Sequence, residues 1–259
     1  MRRTTRLGHD RYCTEITDQT GQLRATLHGA DWSAAVPTCP GWTLLDLVRH
    51  VGGNLHAVGA AVRNTVGPLR DGRADDAAGP GTDAPAVLDA WLARQAEECA
   101  DALREAGPDL DVAVWTIPGT ALSWARRATH DLVVHRADAA AAVDADYTVA
   151  PEVAADTVTE LLELFGAPGA VAFPGDGGRT IGLHAADPAG RGRAEWLVEV
   201  GEQGLSWRFG RGRADVTVRG ALTDVLRLCH RRLPVDSGRV EVRGDAALLD
   251  RWLEQVALR

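Results

Sequence analysis

Apolar residues recur at helical spacing up to Phe165 and alternate at a spacing of two from Thr180 onward. The first half therefore reads as a helical bundle and the second as an α+β unit. Tyr12, Ile16, Leu23 and Leu27 predict a helix over about 8–29, stopped by Gly29. Leu44, Leu47, Val48, Val51, Leu55 and Val58 predict a second over about 44–64, with Thr43 as N-cap and Asp46 as the acid of a capping box. Gly52-Gly53 weakens it internally and permits a close helix approach or access to a ligand. Val87, Leu88, Trp91, Leu92 and Cys99 predict a third helix over about 84–106, ended by Gly107-Pro108. The Gly/Pro/Asp-rich stretch 65–85 before it reads as a long loop, and 108–120 as an extended connection. A fourth helix is expected over about 120–142 and a fifth over about 151–165, the latter with Pro151 at N1 and apolar Val153, Val158, Leu161, Leu162 and Leu164. Gly and Pro then crowd 166–178, which reads as a linker. Beyond it 180–184, 194–200, 205–209 and 215–219 alternate as strands. A helix at about 220–231, a short strand at 240–242 and a last helix to about 257 follow. The expected class is α+β: a four-helix bundle in 1–166 and a small antiparallel α+β domain in 179–259.

The fourth helix has an unusual polar stripe. At about 100° per residue, Trp124, Arg127, Asp131, His135 and Asp138 fall within roughly 80° of one another. Asp131 and His135 stand at i, i+4, where a carboxylate and an imidazole reach the same point. Such a stripe is ordinarily a solvated face and such a pair a surface ion pair, unless another helix supplies a third donor. His50 is the candidate, although a lone His there more often serves as a hydrogen-bonded core or boundary residue. It lies at the edge of the second helix's apolar stripe, and in an up-down-up-down bundle the two helices can line one core. Two imidazoles and one carboxylate suit Zn²⁺ or another borderline divalent ion, and three protein ligands leave a position open, as in catalytic sites. His130, adjacent to Asp131, points about 100° away.

Composition narrows the setting. The 259 residues are 45% hydrophobic and 25% charged, ordinary for a soluble globular protein, and long enough for two domains. A net charge of −8 gives no support to nucleic-acid binding. All 28 basic residues are Arg, none Lys, which points to a GC-rich genome. The basic start, Met-Arg-Arg-Thr-Thr-Arg, is not followed by the apolar run of a secretory signal, and no segment approaches the ~20 apolar residues of a membrane span. A cytoplasmic address is expected. Cys13, Cys39, Cys99 and Cys229 are isolated and read as free thiols in a reducing compartment.

Two motifs then resemble one family. Val36-Pro-Thr-Cys-Pro-Gly-Trp-Thr-Leu-Leu-Asp-Leu-Val-Arg-His50-Val-Gly is similar to the N-terminal motif of the mycothiol-dependent maleylpyruvate isomerase family. Arg126-Arg-Ala-Thr-His-Asp131-Leu-Val-Val-His135-Arg-Ala-Asp138 resembles that family's Arg-Arg-x-x-His-Glu-x-x-x-His-Arg-x-Asp pattern. Asp215-Val-Thr-Val-Arg-Gly and Val240-Glu-Val-Arg-Gly-Asp-Ala-Ala-Leu-Leu are similar to its sterol-carrier-like C-terminal module. The resemblance implies a DinB-like four-helix bundle and a divalent metal, usually zinc, held by His, Glu and His, which fall on His50, Asp131 and His135. It also implies mycothiol, an actinobacterial low-molecular-weight thiol, as cosubstrate. Asp131 departs from the family's Glu and retracts the carboxylate by about 1.5 Å.

The chemistry expected is thiolate attack on a small electrophilic substrate, ending in isomerisation or in S-transfer. Arg127 is a candidate to hold a carboxylate, and Trp124 and Trp42 are candidates to wall the pocket. No residue reads as a general base beyond the ligands. Two other readings stand beside it: a thiol-independent metal hydrolase, and a non-catalytic DinB-like protein that binds a metal or a small ligand. Neither the electrophile nor the oligomeric state is legible.

Overall fold

The computed structural model describes residues 6–66 and 79–256. Most of the loop expected at 65–85 and the basic start lie outside them. The chain is α+β, and its described residues divide into two compact units, 7–147 and 148–256, Arg6 going with the second.

The first unit contains four long helices: α1 (His9–Leu27), α2 (Leu44–Val66), α3 (Pro85–Ala106) and α4 (Ala121–Ala142). Their apolar stripes meet in one core that includes Tyr12, Ile16, Leu23, Leu44, Leu47, Leu55, Leu88, Leu92, Leu103 and Leu132. Neighbours around the bundle run α1, α3, α2, α4. This differs from a simple up-down order, because the chain between α1 and α2 crosses a diagonal through 28–43. The crossing makes α2 and α4 neighbours. It is pinned where Val36 N–H donates to the Trp42 carbonyl (2.8 Å) and Leu44 N–H to Ala34 (3.0 Å). Thr43 and Asp46 then cap α2 reciprocally: Thr43 N–H donates to Asp46 Oδ2 (2.9 Å) and Asp46 N–H to Thr43 Oγ1 (3.3 Å). Gly52 and Gly59 face α3. A Cβ at Gly52 would stand 2.2 Å from the Trp91 ring, and one at Gly59 would stand 3.1 Å from Cys99 Cα. Val87, expected on the apolar face of α3, is 46% exposed, while Leu88 beside it is fully buried.

The segment expected as an extended connection is a hairpin, β1 (Asp111–Val114) with β2 (Ile117–Thr120). Its two-residue turn, Trp115-Thr116, has φ of 50° and 69°. Neither residue is glycine, so the turn carries strain of roughly 1–2 kcal/mol per residue. The Trp115 ring leans edge-on against Trp124 of α4 (centroids 6.0 Å). Thr120 ends the hairpin and caps α4 in a capping box with Ser123.

In the second unit, α5 (Pro151–Phe165), α6 (Leu222–Cys229) and α7 (Ala246–Gln255) accompany a sheet of order β5-β4-β3-β6-β7. The strands are β3 (Arg179–Ala186), β4 (Arg193–Gly201), β5 (Gly204–Phe209), β6 (Val216–Ala221) and β7 (Val240–Gly244). Ile181, Leu183, Trp196, Val198, Val216 and Val218 lie on its buried face. Trp196 Nε1 donates to Thr159 Oγ1 of α5 (3.1 Å).

Two features differ from expectation. The sheet is mixed, since β3 pairs β6 in parallel. The chain leaves β5 and crosses the sheet's polar face in 210–215, where Gly212 lies against Leu197 and Ala214 lies over Gly182. It then enters beside β3 in the same direction. The unit boundary also falls before α5 rather than after it, because α5 packs on α6 and β5. Leu164, read as apolar-face, is 41% exposed near its end. Among the described residues no helix is long and apolar enough to cross a membrane.

Candidate metal centre

The polar stripe of α4 is turned inward. Trp124, His135 and Asp138 are buried, and Arg127 and Asp131 are half-buried. Across from them, α2 brings up His50 and, one turn later, Asn54. One donor atom each from His50, Asp131 and His135 lie within 4.8 Å of one another. His135 Nε2 is 3.6 Å from Asp131 Oδ1, and the His50 and His135 rings meet edge-on with centroids 4.8 Å apart. Asn54 Nδ2 spans the remaining side, 3.0 Å from His50 Nε2 and donating to Asp131 Oδ2 at 3.1 Å. A divalent ion bound tetrahedrally at 2.0–2.2 Å separates its ligand atoms by about 3.3–3.6 Å. The 3.6 Å between His135 Nε2 and Asp131 Oδ1 meets that range, and the donor set of two nitrogens and a carboxylate oxygen suits the same ions.

His135 is held from behind. Its Nδ1 lies 2.9 Å from Asp138 Oδ2, and Asp138 is fully buried. Thr38 Oγ1 donates to the other carboxylate oxygen (2.6 Å), and the Cys39 thiol approaches the first (3.4 Å). The loop ahead of α2 thus clamps the end of α4. Once the ring has lost its second proton, an Nδ1–H donated to Asp138 leaves the Nε2 lone pair toward Asp131, the arrangement that orients metal-binding histidines.

The two imidazoles differ in charge. Burial works to lower the pKa of His135, but Asp131, Asp138 and Cys39 outweigh it and raise it to about 10. Burial lowers that of His50, only partly offset by Asp131, and His135 lowers it further. The cluster without an ion is therefore a neutral imidazole beside an imidazolium set between two carboxylates.

Trp42 covers the pair. Its ring is stacked on His135 (centroids 6.1 Å, 21° between planes) and tilted against His50 (4.8 Å). Asp131 keeps 21% of its side chain exposed, so the cluster opens to solvent. Arg127 stands one turn before Asp131 on α4. Trp124 is two turns before it, about 10 Å along the axis, and packs under the hairpin against Trp115. The structure does not bring it to the donor atoms. His130 faces α1, its ring edge-on to Tyr12 (centroids 6.0 Å). Of the four cysteines only Cys39 escapes full burial.

Sequence reasoning missed Asn54 and the clamp on His135. Asp138 sat in the stripe three residues after His135, which is a usable signal. Asn54 stands four after His50, which is another. Nothing in the spacing placed Thr38 and Cys39 there.

Residues 13–140 match the family model of the mycothiol maleylpyruvate isomerase N-terminal domain, and residues 152–251 match the C-terminal domain of the same family. The chain belongs to the mycothiol maleylpyruvate isomerase family. The crystal structure of a mycothiol-dependent maleylpyruvate isomerase superposes with a TM-score of 0.59 at 16% identity, covering 91% of this chain and 93% of that one. A point mutant of a mycothiol-dependent maleylpyruvate isomerase gives 0.60 with the same identity and coverage. At that identity the likeness is one of fold. No curated protein matches the chain by sequence. The whole cluster, from Thr38 to Asp138, lies inside the isomerase family's N-terminal domain.

Proposed function

We propose that this chain is a metal-dependent, cytoplasmic enzyme that uses mycothiol to isomerise or conjugate a small electrophile. The observation that carries the reading is the convergence of His50, Asp131 and His135 within 4.8 Å, at a cluster open to solvent, in the family's N-terminal domain. His50, Asp131 and His135 would hold a divalent ion, zinc by the nature of the donors. Bound there, the ion supplies the acidity that makes a thiol, pKa near 8.5, a thiolate at neutral pH.

The side chains account for the rest. Asp138 keeps the His135 proton on Nδ1 and the ring fixed. Trp42 excludes water from one side of both imidazoles. Arg127, one turn away, offers its charge to a carboxylate of the thiol or the substrate. Addition of the thiolate to one carbon of a conjugated double bond leaves a single bond free to rotate. Elimination then restores the double bond and releases the thiolate. If a leaving group departs instead, the sulfur stays attached and the product is a conjugate.

The test is turnover of maleylpyruvate and of simple electrophiles by zinc-loaded protein, with and without mycothiol. Activity that requires mycothiol and disappears in His50→Ala supports the reading. Hydrolysis of an ester or amide without thiol would replace it with metal hydrolase chemistry. Bound metal with no turnover would replace it with a binding protein.

A further inference from the structure

The geometry points to Asn54 as a fourth protein ligand of the metal, through its side-chain oxygen. The inference rests on the metal-site reading and extends it. Asn54 is one turn after His50 on the same face of α2, and its amide nitrogen lies 3.0 Å from His50 Nε2 and 3.1 Å from Asp131 Oδ2. These are within a few tenths of an ångström of the separations between neighbouring ligand atoms around one tetrahedral cation, about 3.3–3.6 Å. The amide group therefore already stands at a corner of the coordination shell.

In its present orientation it is a donor. An imidazole nitrogen has one lone pair, so His50 Nε2 accepts either the Asn54 N–H or a metal, never both. A metal held by His50 Nε2 must break that hydrogen bond. It also turns the positive end of the amide dipole into a repulsive neighbour. Rotation by 180° about the Cβ–Cγ bond removes both problems. It exchanges Nδ2 for Oδ1 at the same place and brings a neutral oxygen to the cation. Asp131, a short side chain, and Asn54, which reaches it from the facing helix, then supply the oxygen half of an N₂O₂ set, to which a thiol would add as a fifth ligand. The side chain acts as a reversible latch: its nitrogen ties His50 to Asp131 without an ion, and its oxygen joins them with one.

The test is the affinity of the full-length protein for Zn²⁺, by competition with a chromophoric chelator, together with the visible spectrum of the Co²⁺-substituted protein. Asn54→Ala should bind Zn²⁺ at least about tenfold more weakly and shift the Co²⁺ bands. Asn54→Asp, which keeps an oxygen and loses the N–H donor, should bind as tightly as wild type or more tightly. Unchanged or tighter binding in Asn54→Ala would overturn the inference, leaving Asn54 a bystander or a plug. Weak binding in both variants would also overturn it, making the amide only a donor that positions Asp131. His50→Ala is the control for the underlying reading. If it retains metal, the site itself is wrong; if it loses metal while Asn54→Ala does not, only the role of Asn54 fails.

Discussion

Asp138→Ala should destabilise the metal-free bundle at neutral pH, by an amount that shrinks as the pH rises. Asp138 is fully buried, accepts from Thr38 Oγ1 at 2.6 Å and pairs with His135 Nδ1 at 2.9 Å. The rise in the His135 pKa from 6.5 to about 10 corresponds to about 5 kcal/mol in favour of the imidazolium. Asp138 supplies this rise jointly with Asp131 and Cys39, so its removal forfeits a part of it. One hydrogen bond to a charged partner sets the floor, roughly 1.5–3 kcal/mol. The expected cost at pH 7 is therefore about 2–4 kcal/mol. The sign follows from the raised folded-state pKa. The stabilisation is complete below 6.5, where the imidazole is protonated folded and unfolded, and is lost as the pH rises toward about 10. Above that, His135 is neutral and the wild type holds a buried carboxylate without its cation. The assay is urea unfolding of metal-free wild type and Asp138→Ala at pH 7 and near pH 10, comparing midpoints and slopes. A cost under 1 kcal/mol at pH 7, or the same cost at both pH values, would refute the reasoning.

Other expectations follow from the same geometry. Metal must displace a proton from His135, so zinc affinity should rise about tenfold per pH unit between pH 6.5 and 8.5 in a chelator competition; a flat profile would contradict the imidazolium. Asp131→Glu should retain metal, measured the same way, because only carboxylate reach changes; loss of binding would mean that the backbone spacing is set for Asp. Gly52→Ala should destabilise by about 1–3 kcal/mol through overpacking, although Gly→Ala within a helix ordinarily gains about 1 kcal/mol. The added carbon would meet Trp91 at 2.2 Å, and a Cβ at Gly79 would likewise stand 3.2 Å from the ring. Gly52→Ala with Trp91→Leu should recover part of the loss; a thermal midpoint above wild type for Gly52→Ala alone would contradict the contact.

How far the sequence reaches depends on the kind of feature. Helices α1 to α5 were legible because burying an apolar face imposes a period, and Thr43–Asp46 because a cap needs specific side chains at fixed spacing. The hairpin at Trp115-Thr116 was not, since its left-handed turn uses no glycine or asparagine. The parallel β3–β6 pair was not legible either, because alternation reports faces and not neighbours. The attachment of α5 depends on which surface its apolar face meets, and the Gly/Pro-rich stretch after it pointed to the wrong side. That His50, Asp131 and His135 could converge was legible once one bundle could hold both helices. That α2 and α4 are neighbours comes from the diagonal crossing at 28–43, which no periodicity records. The inward turn of the α4 stripe distinguishes a buried cluster from a solvated ion pair, and only packing reveals it.

The most direct measurement is the metal content of purified protein, by elemental analysis, for wild type, His50→Ala and His135→Ala side by side, with circular dichroism to confirm the fold. The account predicts about one zinc or similar divalent ion per chain in the wild type, and its loss in both variants with helical content unchanged. Full occupancy in either folded variant, or no metal in the wild type after reconstitution, would contradict it.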